Sequence, residues 1–255
     1  MPRADARRAY LALDPARVAA WRARVRALPA SVRVEPLPGE LRVVGAPEAE
    51  AGRVLNVGIA WRSLVTNVDR SPSYATAEDL GGLLLPLSVP PIARTSARAP
   101  NGEERRLPRP AFRFVRLQYD DCAGEIDEVF DRFGVRVHDV GCDLRDDLDD
   151  SAHLMAALDV IVSPMISTAD IAGATGAVPV LVFAPTLAHA RLLGRHVNAA
   201  APLSDGVHMP NFGYGINGRG GVRVFEQRPA RSGDWATAFE DIAAKLHAMF
   251  REKFS

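Results

Sequence analysis

GVRVHDVGCDLRDDLDDSAHLMAALDVIVSPMISTADIAGATGAVPVLVF, residues 134–183, decides the fold. Short apolar runs, Val135 to Val137, Val160 to Ser163 and Val178 to Phe183, alternate with segments that open on helix-starting residues, Asp149-Asp150-Ser151 and Ser167. The runs are short, β-branched and bounded by Gly, Pro and Asp, as strands are. The stretches between them carry apolar residues at helical spacing, Leu154 and Leu158 among them. Strand, helix and strand joined by short links form a βαβ unit, whose strands lie parallel and whose sheet is covered on both faces.

The same rhythm extends outward. Upstream, Leu55 to Trp61 (LNVGIAW) is too apolar for a half-exposed strand and fits one covered on both faces. Thr76-Ala-Glu-Asp79 opens a helix to about Leu85. Phe112 to Gln118 is a second strand, after which Asp120 and Asp121 cap a helix that Gly134 stops. Downstream, Thr186 starts a helix, Val222 to Phe225 is a sixth strand, and Ser232-Gly-Asp234 caps a helix ending near Phe250. The expected fold is α/β, one Rossmann-like domain with a mainly parallel sheet over residues 54–255. A helix and connector over residues 1–53 precede it. In that leading segment Asp14-Pro15 starts a helix to Leu28 that packs on the outside through Trp21, and Leu41 to Val44 is a short strand. Two long loops break the rhythm: Pro86 to Pro110, with six prolines and a basic middle, and glycine-rich His196 to Gly221.

Composition limits the function classes. The 255 residues are 47% hydrophobic and 24% charged, values of a folded globular chain that can bury a core without disulfides or metal. Lys+Arg and Asp+Glu balance at 31 each, so no global field draws in nucleic acid or anionic lipid, and an anionic ligand must be held locally. No apolar run reaches the roughly 20 residues of a membrane span, and the N-terminus lacks the apolar stretch of a secretory signal. Cys122 and Cys142 form no CxxC pair and have no His at zinc-ligand spacing, which fits two free thiols in a reducing cytoplasm and no bound metal.

Parallel sheets bind ligands at the carboxyl ends of their strands, so the residues after each strand carry the chemistry. After the first strand, Arg62 could hold a phosphate and Ser63 donate to one; a solvated loop arginine is the alternative. The fourth strand ends at Ser163, and Ser167 and Thr168 open the next helix, where free N–H groups and the positive dipole end favour a phosphate. These hydroxyls could equally cap the helix, and the two roles are compatible. The literal GxGxxG of Gly213 to Gly218 precedes a strand where a dinucleotide site needs one before it, and reads as loop. The acidic run Asp143 to Asp150 lacks the Gly and Glu of an EF-hand, and there is no HExxH, GxSxG or Walker lysine.

Taken in order, Tyr10 to Val25, VGIAWRS (Val57 to Ser63), LQYDD within Leu117 to Leu158, the DDLDDSA run leading into DVIVS, AGATGAVPV, and GDW (Gly233 to Trp235) resemble the C-terminal half of GT-B glycosyltransferases. The kind resembled is heptosyltransferase-like and O-GlcNAc-transferase-like, found behind tetratricopeptide repeats in bacteria. The resemblance runs from about residue 10 to about residue 250. It implies a domain that takes a nucleotide-sugar as donor substrate, with no further cofactor. The diphosphate would lie on Arg62, Ser63 and the turn Ser167 to Asp170, and the ribose and base near Gln118 and Tyr119. Such relatives commonly carry Asp-Thr-Ser-x-x-His in the strand-to-helix turn. Here Asp170 stands at the His position, an anion that a metal or Arg62 would have to compensate. The acceptor site and usual catalytic base belong to an N-terminal half not seen in this sequence, so turnover would need an acceptor-binding domain. A catalytically inert module binding a nucleotide or a protein is the alternative.

Overall fold

The computed structural model describes residues 11–31, 33–37, 40–44, 53–63, 74–88, 96–98, 104–106, 111–185, 207–208, 221–227 and 235–254. In chain order the elements are α1 (Pro15–Arg26), β1 (Arg33–Leu37), β2 (Glu40–Val44), β3 (Val54–Ile59), α2 (Ala77–Ser88), β4 (Ser96–Arg98) and β5 (Glu104–Arg106). There follow β6 (Ala111–Arg116), α3 (Ala123–Phe133), β7 (Val137–His138), α4 (Leu148–Ala157), β8 (Val160–Pro164), α5 (Ser167–Thr175), β9 (Val180–Ala184), β10 (Val207–His208), β11 (Val222–Glu226) and α6 (Ala236–Phe254). The main sheet has the order β10-β11-β9-β8-β3-β6-β7. Every pairing in it is parallel except that of β10 with β11. Numbered along the chain, the six parallel strands run 3-2-1-4-5-6, the order of a doubly wound sheet, and it reverses between β3 and β8.

The α/β reading therefore holds, and its cause is visible in β3 and β6. Leu55, Val57, Ile59, Phe112 and Phe114 point to one side, into a cluster with Leu80, Leu83 and Leu84 of α2, Val129 of α3 and Phe239, Ile242 and Leu246 of α6. On the other side Val115, Ile161, Val180 and Val182 meet Trp21 and Val25 of α1, Leu154 of α4 and Ala172 of α5. Strands covered on both faces must be apolar at successive positions, and all six residues of β3 are buried.

Asn56, Asp159 and Arg113 are paired with one another or with the backbone within this core. The Asp159 carboxylate accepts from the Asn56 backbone N–H at 2.8 Å and from its amide at 2.9 Å. The Arg113 guanidinium donates to the Leu28 carbonyl at 2.9 Å and to the Asn56 side chain, tying the segment after α1 to β6. Asp14 caps α1 by accepting from Ala16 at 2.8 Å. The Trp21 indole N–H donates to Asp150 at 2.8 Å, so α1 packs outside the sheet against α4, as its spacing predicts. His153 accepts from the Asp14 backbone and its other ring nitrogen donates to the Asp149 carbonyl, which seats the start of α1.

Several boundaries differ from the sequence reading, each for a local reason. α1 ends at Arg26, two residues before Leu28. α2 continues past Leu85 to Ser88 and carries Pro86 within its last turn. Asp120 does not cap α3, since its carboxylate binds Arg62 and Gln118; Cys122 takes the cap position, and Asp121 reaches only the Ala123 N–H at 3.2 Å. α4 begins at Leu148, one residue before the expected Asp149, because Asp147 takes the cap position and accepts from the Asp150 N–H at 2.8 Å. Ser167 does begin α5, but Ile166 holds the cap position and no side chain caps that end. The third strand is Val137–His138 and the fifth Val180–Ala184. The connector carries an antiparallel pair, β1 with β2, and the proline-rich loop another, β4 with β5. The expected helix from Thr186, the cap at Ser232 to Asp234 and the GxGxxG of Gly213 to Gly218 lie outside the described residues.

Close packing against the sheet is set by Gly58. A methyl group there would stand 2.5 Å from Leu117 Cδ1 and 2.7 Å from Leu158 Cδ1, both buried. Gly82, on the exposed side of α2, has no atom within 4 Å of such a methyl. Gly58→Ala is expected to destabilise the fold by about 1–3 kcal/mol through overpacking. Gly82→Ala should stabilise it by about 0.5–1 kcal/mol through helix propensity. Thermal melts of the two variants check the opposite signs.

Candidate functional site

Reversal of strand order between β3 and β8 opens a crevice at their carboxyl ends, where neither flanking helix crosses. The Ala60 N–H donates to the Val162 carbonyl at 3.0 Å, so the turn after β3 and the turn after β8 lie side by side. The first supplies Trp61, Arg62 and Ser63; the second supplies Met165, Ile166, Ser167 and Thr168.

Four of the expected site residues meet on the β6 side of this crevice. Gln118, fully buried, accepts from the Trp61 and Arg62 backbone N–H groups at 3.1 and 3.2 Å. Its amide donates to the Arg62 carbonyl at 2.9 Å and to Asp120 at 2.6 Å. All four hydrogen-bonding positions of that side chain are occupied. Gln118 thus splices the turn after β3 to the turn after β6, and its place is that of a positioning residue. Ser63 and Tyr119 join the same splice through their hydroxyls, 3.0 Å apart.

Arg62 is held from three directions. Its guanidinium bonds both oxygens of Glu125, at 2.7 to 3.0 Å, pairs with Asp120, and donates to the Asp121 carbonyl at 3.2 Å. These hydrogen bonds to Glu125 and the neighbouring charges raise its pKa further, so it is permanently charged. Every one of these partners lies on the β6–α3 side of β3, whereas α5 begins on the opposite side, after β8. The expectation that Arg62 compensates Asp170 is therefore corrected: its charge is balanced by Asp120 and Glu125, residues that the sequence alone marked only as helix-start acids or not at all.

On the β8 side, Ser163 is fully buried and its hydroxyl donates to the Pro164 carbonyl at 2.9 Å, which places it beneath the turn. Ser167 is exposed at the first position of α5 and Thr168 is buried beside it. The absence of a side-chain cap leaves the first N–H groups of α5 without one of their usual partners. Asp170 lies in that first turn, and desolvation by the surrounding protein raises its pKa.

Beyond β6, a cavity of about 490 Å³ opens at the ends of β6 and β7. Cys122, Ile126, Val137, Cys142 and Leu144 contribute its apolar lining, and Asp120, Asp121, Asp127, Asp139 and Asp143 its acidic one. Arg116 is its cation, bonded to the Gln118 carbonyl at 2.7 Å and to Asp139 at 2.9 Å. Sequence reading missed this cavity because β7 is only two residues long and its neighbours are set by tertiary pairing. Among the described residues no group of three or more His, Cys, Asp and Glu could hold a metal ion, and no helix is long and apolar enough to cross a membrane.

No protein-family model matches the chain. Protein FlbA of Caulobacter vibrioides is 31% identical over 172 residues, 67% of this chain and 21% of that protein. The chain thus spans about a fifth of the length of that relative. Among solved structures, the crystal structure of the glycosyl transferase family 9 from Veillonella parvula aligns over 85% of this chain and 55% of its own, at 10% identity and a TM-score of 0.43.

Proposed function

We propose that this chain is the nucleotide-sugar binding part of a glycosyltransferase, holding a nucleoside diphosphate across the β3–β8 crevice. The acceptor and the general base would be supplied by another domain or chain. The observation that carries the reading is the reversal of strand order at β3 and β8, with the uncapped N-terminus of α5 opening onto it. The motif order GIAW, LQYDD, AGATGAVPV and GDW supports the same reading. As the sugar departs, negative charge develops on the diphosphate, and N–H groups fixed at a helix start stabilise it without reorganising.

Catalysis also needs an acceptor brought into line with the sugar, an orientation effect of roughly 7 to 11 kcal/mol. A tetratricopeptide-associated context belongs to this proposal on the same sequence resemblance, and a cytoplasmic location on the use of two unpaired cysteines. A second reading, a module that binds without catalysing, draws on one observation: the two arginines at these strand ends, Arg62 and Arg116, are both paired with carboxylates, and the one charged residue in the first turn of α5 is the acid Asp170.

Isothermal calorimetry with nucleoside mono- and diphosphates separates the possibilities. With charge-assisted contacts of about 1.5 to 3 kcal/mol each at the second phosphate, the diphosphate should bind on the order of tenfold tighter or more. Equal affinities would remove the phosphate seat, and no binding of either would sink the reading as a whole.

A further inference from the structure

We propose that Arg62 is a positioning residue and not a phosphate ligand: with Asp120 and Glu125 it locks the turn after β3 to the first turn of α3 and so shapes one lip of the crevice. The part that concerns a ligand rests on the nucleoside diphosphate reading given above. The lock itself does not.

The bonds of the guanidinium carry the assignment. Nε meets both oxygens of Glu125 at 3.0 Å, Nη2 meets one of them at 2.7 Å and the Asp121 carbonyl at 3.2 Å, and Nη1 pairs with Asp120. Of the five N–H donors of an arginine, only one, on Nη1, is left over. The lock also closes on itself. Asp120 turns its second oxygen to the Gln118 amide at 2.6 Å, and Gln118 bonds the Arg62 backbone at both its N–H and its carbonyl. One ring of contacts thus fixes the side chain and the main chain of Arg62 together.

At its far end the lock stands in for a missing cap. Cys122 holds the cap position of α3 without a side-chain hydrogen bond, and Glu125 is the acid of the first turn. The Arg62 bonds to Glu125 and to the Asp121 carbonyl hold that helix start in place. Charge points the same way. One guanidinium faces two carboxylates, so the group as a whole is negative and repels a phosphate. To ligate one, Arg62 would have to leave both acids, and the Asp120 side chain, 8% exposed, would lose its cation.

Conservative variants of the full chain test the assignment with two readouts. Lysine keeps the charge of Arg62 but cannot meet two carboxylates and a carbonyl in one planar fork, and Glu125→Gln keeps the arginine while removing its bidentate partner. Amide hydrogen exchange needs no ligand. Each variant should speed exchange at least tenfold at Trp61 and Arg62, which bond Gln118, and at Ile126, which bonds the Cys122 carbonyl, with the amides of β8 and β9 unchanged. Unchanged exchange at these three amides would overturn the lock. Calorimetry then uses whichever of ADP, CDP, GDP and UDP binds the wild type tightest. Arg62→Lys and Glu125→Gln should each weaken it at least fivefold, and the double variant should lie within twofold of Arg62→Lys alone, because either change opens the same lock. A phosphate ligand gives the opposite pattern: Arg62→Lys stays within twofold of wild type, and Glu125→Gln, by freeing the guanidinium, tightens binding. Either result overturns the assignment and leaves the diphosphate reading standing. If the wild type binds none of the four, that reading fails and the exchange data alone decide the lock.

Discussion

Replacing Gln118 with Leu is expected to lower the unfolding free energy by about 3–5 kcal/mol, since each buried polar group left unpaired costs about 1–3 kcal/mol. Leucine has nearly the same volume, so the effect is one of hydrogen bonding. Three backbone groups lose their partner, the N–H of Trp61 and both the N–H and the carbonyl of Arg62, as does one oxygen of Asp120. Trp61 is almost wholly buried and water cannot fully replace the amide there. Urea denaturation at unchanged slope measures the loss. A change below about 1 kcal/mol would mean that the two turns hold together without this splice.

The second large effect is one of pH. His138 on β7 is buried, and its ring is bonded to the Pro29 carbonyl while Nε2 has no partner. Burial first, and then the charges of Arg113 and Arg136, push its pKa down to about 4 from an ordinary 6.5. A pKa lowered in the folded state means that the unfolded chain binds the proton more readily. Its contribution to stability is whole above pH 6.5 and is lost as the pH falls toward 4. At 1.36 kcal/mol per pKa unit the loss is about 3 kcal/mol. His247, also lowered by burial, titrates in the same direction, so the wild-type curve alone does not isolate His138. The difference between wild type and His138→Phe, followed by denaturation from pH 7 to pH 4.5, does. Wild type should lose stability relative to the variant as the pH falls, and parallel curves would contradict the assignment.

Legibility in the sequence followed the range of the interactions. The runs at Leu55, Phe112, Val160, Val178 and Val222 read as buried strands because burial on both faces demands consecutive apolar residues. All five are strands of the sheet. Their spatial order was not legible, since pairing β3 with β8 joins residues far apart in the chain and leaves no local trace. Arg62 shows the same limit at the site. Its position after a strand reads as an anion holder, yet its partners Asp120 and Glu125 stand 58 and 63 residues away. Asp120 itself reads as a helix cap because local capping is the commonest role of an acid before a helix. The Arg62 contacts and the fully bonded Gln118 could be found only once β3 and β6 were known to be neighbours.

Amide chemical shifts of the isotopically labelled chain, titrated with a nucleoside diphosphate, test the central claim most directly. The proposed seat predicts the largest saturable shifts at the N–H groups of Ser167 and Thr168 and at Arg62 and Ser63, the two sides of the β3–β8 crevice. Pyrophosphate alone should move the Ser167 and Thr168 signals in the same direction. Shifts confined to residues away from these two turns, or none at concentrations that saturate calorimetric binding, would contradict it.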